Sequence, residues 1–165
     1  MKRVRKSGRI KDQKKKPRYT VKGQILRNKF LRQRAKVQGK IVVVFFCWGG
    51  AERSYIAEQE FKLFLKKTHL SRKFYVSHFA WGNIDHNLVR SVARFADFVV
   101  PIGADSRHAL SKAVKSMRIK PVLLKPDFKK RGGMLNVANY SQVLRPIAEA
   151  RPELGIKLKK NSEPK

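Results

Sequence analysis

IVVVFFC (residues 41–47), WGGAERS (residues 48–54) and YIAEQEF (residues 55–61) follow one another without interruption. The first seven residues are apolar throughout and rich in β-branched and aromatic side chains. That composition fits a strand buried on both faces. Gly49 and Gly50 break it. A helical period then runs from Arg53 to about Lys67, with Ala57, Phe61, Phe64 and Leu65 on one face. The unit is strand, glycine-containing loop, helix.

The same alternation continues downstream. Lys73–Phe79 reads as a second strand. Asp85–Ala96 reads as a helix, with Leu88, Val92, Phe95 and Ala96 inward and Arg90 and Arg94 outward. DFVVPI (97–102) is a third strand. Asp105 or Ser106 is placed to N-cap a helix that turns Ala109, Leu110, Ala113, Val114 and Met117 inward. PVLL (121–124) is a fourth strand. A last helix starts near Asn139, with Tyr140, Val143, Leu144 and Ile147 inward. Pro146 is expected to kink or restart it, and Pro152 to end it at about Arg151. Strands alternating with helices predict an α/β fold, a parallel sheet covered on both faces. Ligands in such sheets sit at the carboxyl ends of strands, near a switch in strand order. The first strand ends at Cys47. No internal repeat is visible.

Charge divides the chain differently. Its 165 residues hold 40 Lys+Arg against 11 Asp+Glu, a net of +29. Residues 1–40 carry 17 Lys/Arg against one acid, Asp12, a net of +16. Residues 41–165 carry 23 against 10, a net of +13. Three regions follow: a basic arm (1–40), an α/β domain (41–150) and a basic tail (151–165). The first 20 residues, MKRVRKSGRIKDQKKKPRYT, hold too little apolar surface to fold alone. From about 24 to 38 the arm predicts a basic amphipathic helix, with Ile25, Leu26, Phe30, Leu31 and Ala35 on its apolar side.

Such an excess opposes compaction and favours a polyanionic partner. Nucleic acid comes first, because neutralising phosphates releases counterions; an anionic membrane surface comes second. RNA is favoured over DNA, since no helix-turn-helix, zinc finger or zipper is evident. The residues expected to meet phosphates are Lys2, Arg3, Arg5, Lys6, Arg9, Lys14, Lys15, Lys16, Arg18, Lys22, Arg27, Lys29, Arg32, Arg34 and Lys36. Lys112, Lys115 and Arg118, with Lys129, Lys130 and Arg131, add positive faces assigned to the domain's helices. The partner expected is ribosomal RNA, with ribosomal proteins beside it, in a cytoplasmic, ribosome-associated protein. An organellar location is the alternative, because the start is Arg-rich and acid-poor.

Other classes recede. Cys47 is the sole cysteine, so no intramolecular disulfide or multi-thiolate zinc site can form. His69, His78, His86 and His108 are scattered, and neither metal nor cofactor is expected. No run approaches the roughly 18 apolar residues of a membrane span. No apolar segment follows the basic start, so a secretory signal is not expected.

Chemistry concentrates in Cys47–Ser54. Trp48, Gly49, Gly50, Ala51, Glu52 and Arg53 form the expected phosphate-binding loop. Glycines let backbone N–H groups turn toward an anion. The helix start adds a positive dipole end. An arginine fork grips two oxygens at once. The same field favours the thiolate of Cys47, the nucleophilic form, and Ser54 can donate to it. The plainer alternative is a buried strand-end cysteine beside a solvated arginine.

CWGGAERSYIAEQEF (47–61) resembles the active-site segment of the low-molecular-weight protein-tyrosine phosphatases, with its strand, C-x5-R-S and helix bearing an Ala-Glu pair, here Ala57–Glu58. FADFVVPIGADSRHAL (95–110) is similar to that family's later strand and following helix. The resemblance covers about residues 41–150. It implies a three-layer sandwich around a four-stranded parallel sheet, and phosphoester hydrolysis through a cysteinyl-phosphate. In it Cys47 is the nucleophile, Arg53 grips the phosphoryl oxygens and Ser54 stabilises the thiolate. The sequence also departs from the family. A general acid is typically worth about 10²–10⁴ in rate, and the family's Asp-Pro pair is missing. Asp127 (in KPDF) is the remaining candidate, close after the fourth strand; LNVANY (135–140) has no acid. Glu52 opposes an anion unless it points out, and Tyr55 replaces a proline. The expectation is an RNA-associated protein on a phosphatase-like fold with catalysis weakened or lost. The alternative is an active phosphatase localised by its arm.

Overall fold

The computed structural model describes residues 33–36, 38–48, 52–81, 93–115, 117–118, 120–131 and 134–156. The apolar run becomes the central strand β1 (Ile41–Trp48). Residues 41–47 are all buried, and they divide by parity. Ile41, Val43, Phe45 and Cys47 enter one apolar cluster; Val42, Val44 and Phe46 enter another. Side chains alternate across a strand, so burial on both faces requires an unbroken apolar run.

The other strands are β2 (Phe74–Trp81), β3 (Phe98–Ile102) and β4 (Val122–Leu123). The sheet has four strands in the order β2-β1-β3-β4, parallel throughout. Ile41 pairs with Phe74 and Trp48 with Trp81; Cys47 lies opposite Ile102. Helices α1 (Glu52–Lys67) and α3 (Ser141–Ala150) cover the first face through Ala57, Phe61, Leu65, Val143, Leu144 and Ile147. Helix α2 (Ala104–Lys115) covers the second through Leu110, Ala113 and Val114, joined by Ala35, Ala93 and Ala96. This is the expected α/β three-layer arrangement. The chain leaves β1 toward β2 and then returns to β3 on β1's other side. The switch in strand order therefore falls between β1 and β3.

Phe61 centres the first face. Its ring lies 5.5 Å from Phe45, 5.7 Å from Tyr140 and 6.1 Å from Phe64. Asp97 ties the opposite end of the sheet. Its carboxylate accepts from the Val42 N–H at 2.8 Å and pairs with Lys36 at 3.4 Å and Arg151 at 3.8 Å.

Several expectations need amendment. Lys129–Arg131 is not helical: β5 (Phe128–Arg131) pairs antiparallel with β6 (Met134–Val137). These strands have four residues each, and β5 reads F-K-K-R, too short and too charged to show a period. Helix α3 runs through Pro146. The missing N–H forfeits one bond, to the Gln142 carbonyl in the first turn, and the rest of the helix survives. Gly103, at φ 93°, makes the turn into α2. Asp105 and Ser106 lie inside that helix rather than before it.

Of the arm's helix, residues 33–36 are described; they are helical, with Ala35 buried and Arg34 and Lys36 exposed. Lys2 through Arg32 lie outside the described residues, as do residues 157–165 of the tail. The helix expected at 85–96 is described only from Ala93 onward, where Ala93 and Ala96 are buried and Arg94 is exposed. Among the described residues no helix is long and apolar enough to cross a membrane.

Candidate functional site

The carboxyl end of β1 and the start of α1 meet at the switch in strand order. Gly49, Gly50 and Ala51 lie outside the described residues; their flanks do not. Cys47 is fully buried. Its thiol donates to Ser54 Oγ at 3.1 Å. Ser54 is buried in the first turn of α1. Were Cys47 ionised, the rotatable hydroxyl would reverse and donate to sulfur. One residue earlier, Arg53 Nη2 donates to the Trp48 carbonyl at 2.7 Å, bridging the two sides of the loop. A guanidinium has five N–H donors in all, so others remain for an oxyanion. The Trp48 N–H donates to Ser106 Oγ at 2.7 Å, which ties the end of β1 to the start of α2. Two helix starts thus flank one strand end.

The remaining loop residues sort by exposure. Glu52 is exposed at the first position of α1, where a carboxylate suits the helix dipole. Trp48 and Tyr55 are 47% and 49% exposed, so neither is a packing core residue. Asp127 is held by α3: its N–H donates to Gln142 Oε1, and Gln142 Nε2 donates to its Oδ2, both at 2.7 Å. Ser106 and Arg107 were not legible as site residues. Arg107 follows Ser106 in the first turn of α2, and its Nε is buried without a hydrogen-bond partner among the described residues. Their place depends on β3 lying beside β1, which no local pattern encodes.

A second polar cluster joins α1 to β2. Glu58 is buried and accepts from Lys62 and from His78 Nδ1. The Tyr55 ring meets His78 edge-on at 5.4 Å. Glu58 and Lys62, four apart on a helix, are a pair readable from sequence. His78 arrives from β2. Burial alone would raise the Glu58 carboxyl, but the hydrogen bonds from His78 and Lys62, with their charges, outweigh it and hold the group below its ordinary 4.5. A carboxyl depressed in the folded state stabilises above its unfolded pKa, and that contribution is lost as pH falls through the folded value. Urea midpoints should therefore drop as pH is lowered below about 4.5, and Glu58→Gln should flatten that acid limb. Parallel acid limbs in the two proteins would refute the assignment.

A third cluster anchors β6. Asn136 Nδ2 and the Tyr140 hydroxyl both donate to Glu60 Oε2 at 2.9 Å. Burial, then the Glu60 carboxylate, push the Tyr140 phenol upward, so it stays a neutral donor. Among the described residues no group of three or more His, Cys, Asp or Glu converges as a metal site.

Cys47 and Ser54 are thus in contact and Arg53 is hydrogen-bonded to Trp48, while Asp127 bonds to α3. Compared with known proteins, the chain matches no family model, no curated protein and no solved structure.

Proposed function

We propose that this protein binds RNA, with ribosomal RNA as its partner in the cytoplasm, and that Cys47–Ser54 serves as an oxyanion site with little or no turnover. One observation carries the reading. Lys66, Lys67, Lys112, Lys115, Lys129 and Lys130 are exposed, and none pairs with a carboxylate among the described residues. The domain therefore does not neutralise its own positive charge, and the arm adds +16. Phosphates are the counter-charge that a surface of this kind takes up most effectively. The test is binding of the full chain to ribosomal RNA and co-sedimentation with ribosomes at near-physiological salt. Absence of both ends the reading.

The contact of Cys47 with Ser54 at 3.1 Å favours a second reading, an active phosphatase. In that reaction the thiolate attacks phosphorus, the bond to the leaving oxygen breaks, and water then releases phosphate from sulfur. It predicts hydrolysis of an aryl phosphate that vanishes in Cys47→Ser. Residual hydrolysis in that variant, or none in the parent, would remove the reading. Binding of vanadate without turnover supports the oxyanion site alone.

A further inference from the structure

We propose that the β5–β6 hairpin is a finger that contacts RNA phosphates, rigid at its base and cationic along β5. This rests on the reading that the protein binds RNA.

The base of the hairpin is built into the core. Phe128 and Val137 face each other in register; Val137 is buried and Phe128 packs on the same apolar cluster as Phe45. Buried Asn136 donates to Glu60 of α1, and Tyr140 donates to the same oxygen. The Ala138 N–H donates to the Asp127 carbonyl at 2.8 Å, closing the base of the ribbon.

Beyond that base the character changes within one residue. Lys129 and Lys130 are exposed, and Arg131 ends the strand. Successive strand residues point to opposite faces, so both sides of the ribbon carry positive charge. No described carboxylate pairs with Lys129 or Lys130. The nearest acid along the chain, Asp127, is engaged by Gln142. Long side chains lose conformational entropy when they bind, which is why exposed ion pairs contribute little. A paired ribbon adds little backbone ordering cost to that loss.

The chemistry favours RNA over a lipid surface. Binding at a lipid interface strengthens with the apolar area buried beside the charges. The exposed large apolar residues described are Trp48, Tyr55, Leu63 and Val122, and none lies on β5. An RNA duplex presents a major groove too deep and narrow for side chains to read. The cations would therefore meet backbone phosphates, and the contact would be indifferent to sequence.

The experiment uses the full chain carrying K129Q/K130Q, with R94Q/K120Q as an equal loss of charge at two exposed cations outside the hairpin and outside the set named above. Affinity for a labelled stem-loop RNA and a stem-loop of altered sequence is measured between about 50 and 200 mM salt. The log-log salt slope of K129Q/K130Q should be shallower by about 1.4–1.8, the share of two phosphate contacts. Affinity should fall about 10-fold or more, alike for both RNAs, and K129R/K130R should restore it. An unchanged slope in K129Q/K130Q overturns the finger while RNA binding stands. So does an equal loss in R94Q/K120Q, or a loss that K129R/K130R shares. Weakened binding to phosphatidylserine vesicles with RNA binding intact would also overturn it. Failure of the unaltered chain to bind any RNA removes the underlying reading instead.

Discussion

Phe61→Ala should lower the unfolding free energy by about 3–5 kcal/mol, the range for deleting a buried aromatic side chain. Small domains have only about 5–15 kcal/mol in total, so the variant should sit near its folding threshold. Phe61 is fully buried between α1 and the sheet. Its ring contacts Phe45, Phe64, Phe74 and Tyr140, which belong to two strands, the same helix and the residue preceding α3. Removing it leaves a void walled by residues from separate elements, which cannot all close inward. Leu63 lies two residues along the same helix and is 58% exposed. Leu63→Ala should cost no more than about 0.5 kcal/mol. Urea unfolding of the two variants gives the comparison. A Phe61→Ala loss below about 1 kcal/mol would mean the aromatic cluster does not hold α1 on the sheet.

Deletion of residues 1–32 should leave the domain folded and remove most of its RNA affinity. The truncation keeps Arg34, Ala35 and Lys36, and with them the Lys36–Asp97 pair and the burial of Ala35. Thermal unfolding of the truncated chain checks that the domain is still folded. The deleted segment holds 14 Lys/Arg against one acid. If the intact chain neutralises about 6–10 phosphates, its affinity falls by about 10³–10⁵ between about 50 and 200 mM salt. The truncated chain should show a much shallower slope and weaker binding at every salt concentration. A slope equal to that of the full chain would place the RNA-binding surface on the domain alone.

The hairpin and the arm differ in what made them readable. The arm's charge is a property of composition, visible without any fold. The hairpin's Lys129 and Lys130 were visible as residues but not as a ribbon. Four-residue strands that pair with each other carry no period of their own; their order comes from Val137 and Asn136 being buried against α1 and the sheet. Pro146 shows the same limit. A local rule predicts a kink or a restart; the helix continues through Pro146, with Val143, Leu144 and Ile147 buried on one face.

By itself the sequence determined the central strand, the helix after it, and the order of strands and helices behind a parallel α/β sheet. It did so because burial on both faces demands an unbroken apolar run, and burial on one face of a helix demands a period near 3.6. It also determined the neighbours Arg53 and Ser54 on either side of one peptide bond, and the charge of the arm. Tertiary structure alone decided that β3 returns to the far side of β1, which brings Ser106 to the Trp48 N–H. It decided that His78 meets Glu58 from 20 residues away. It engaged Asp127, the remaining candidate acid, with Gln142 of α3. Each of these depends on which strands are neighbours, a choice made by the whole core and recorded in no short stretch of chain.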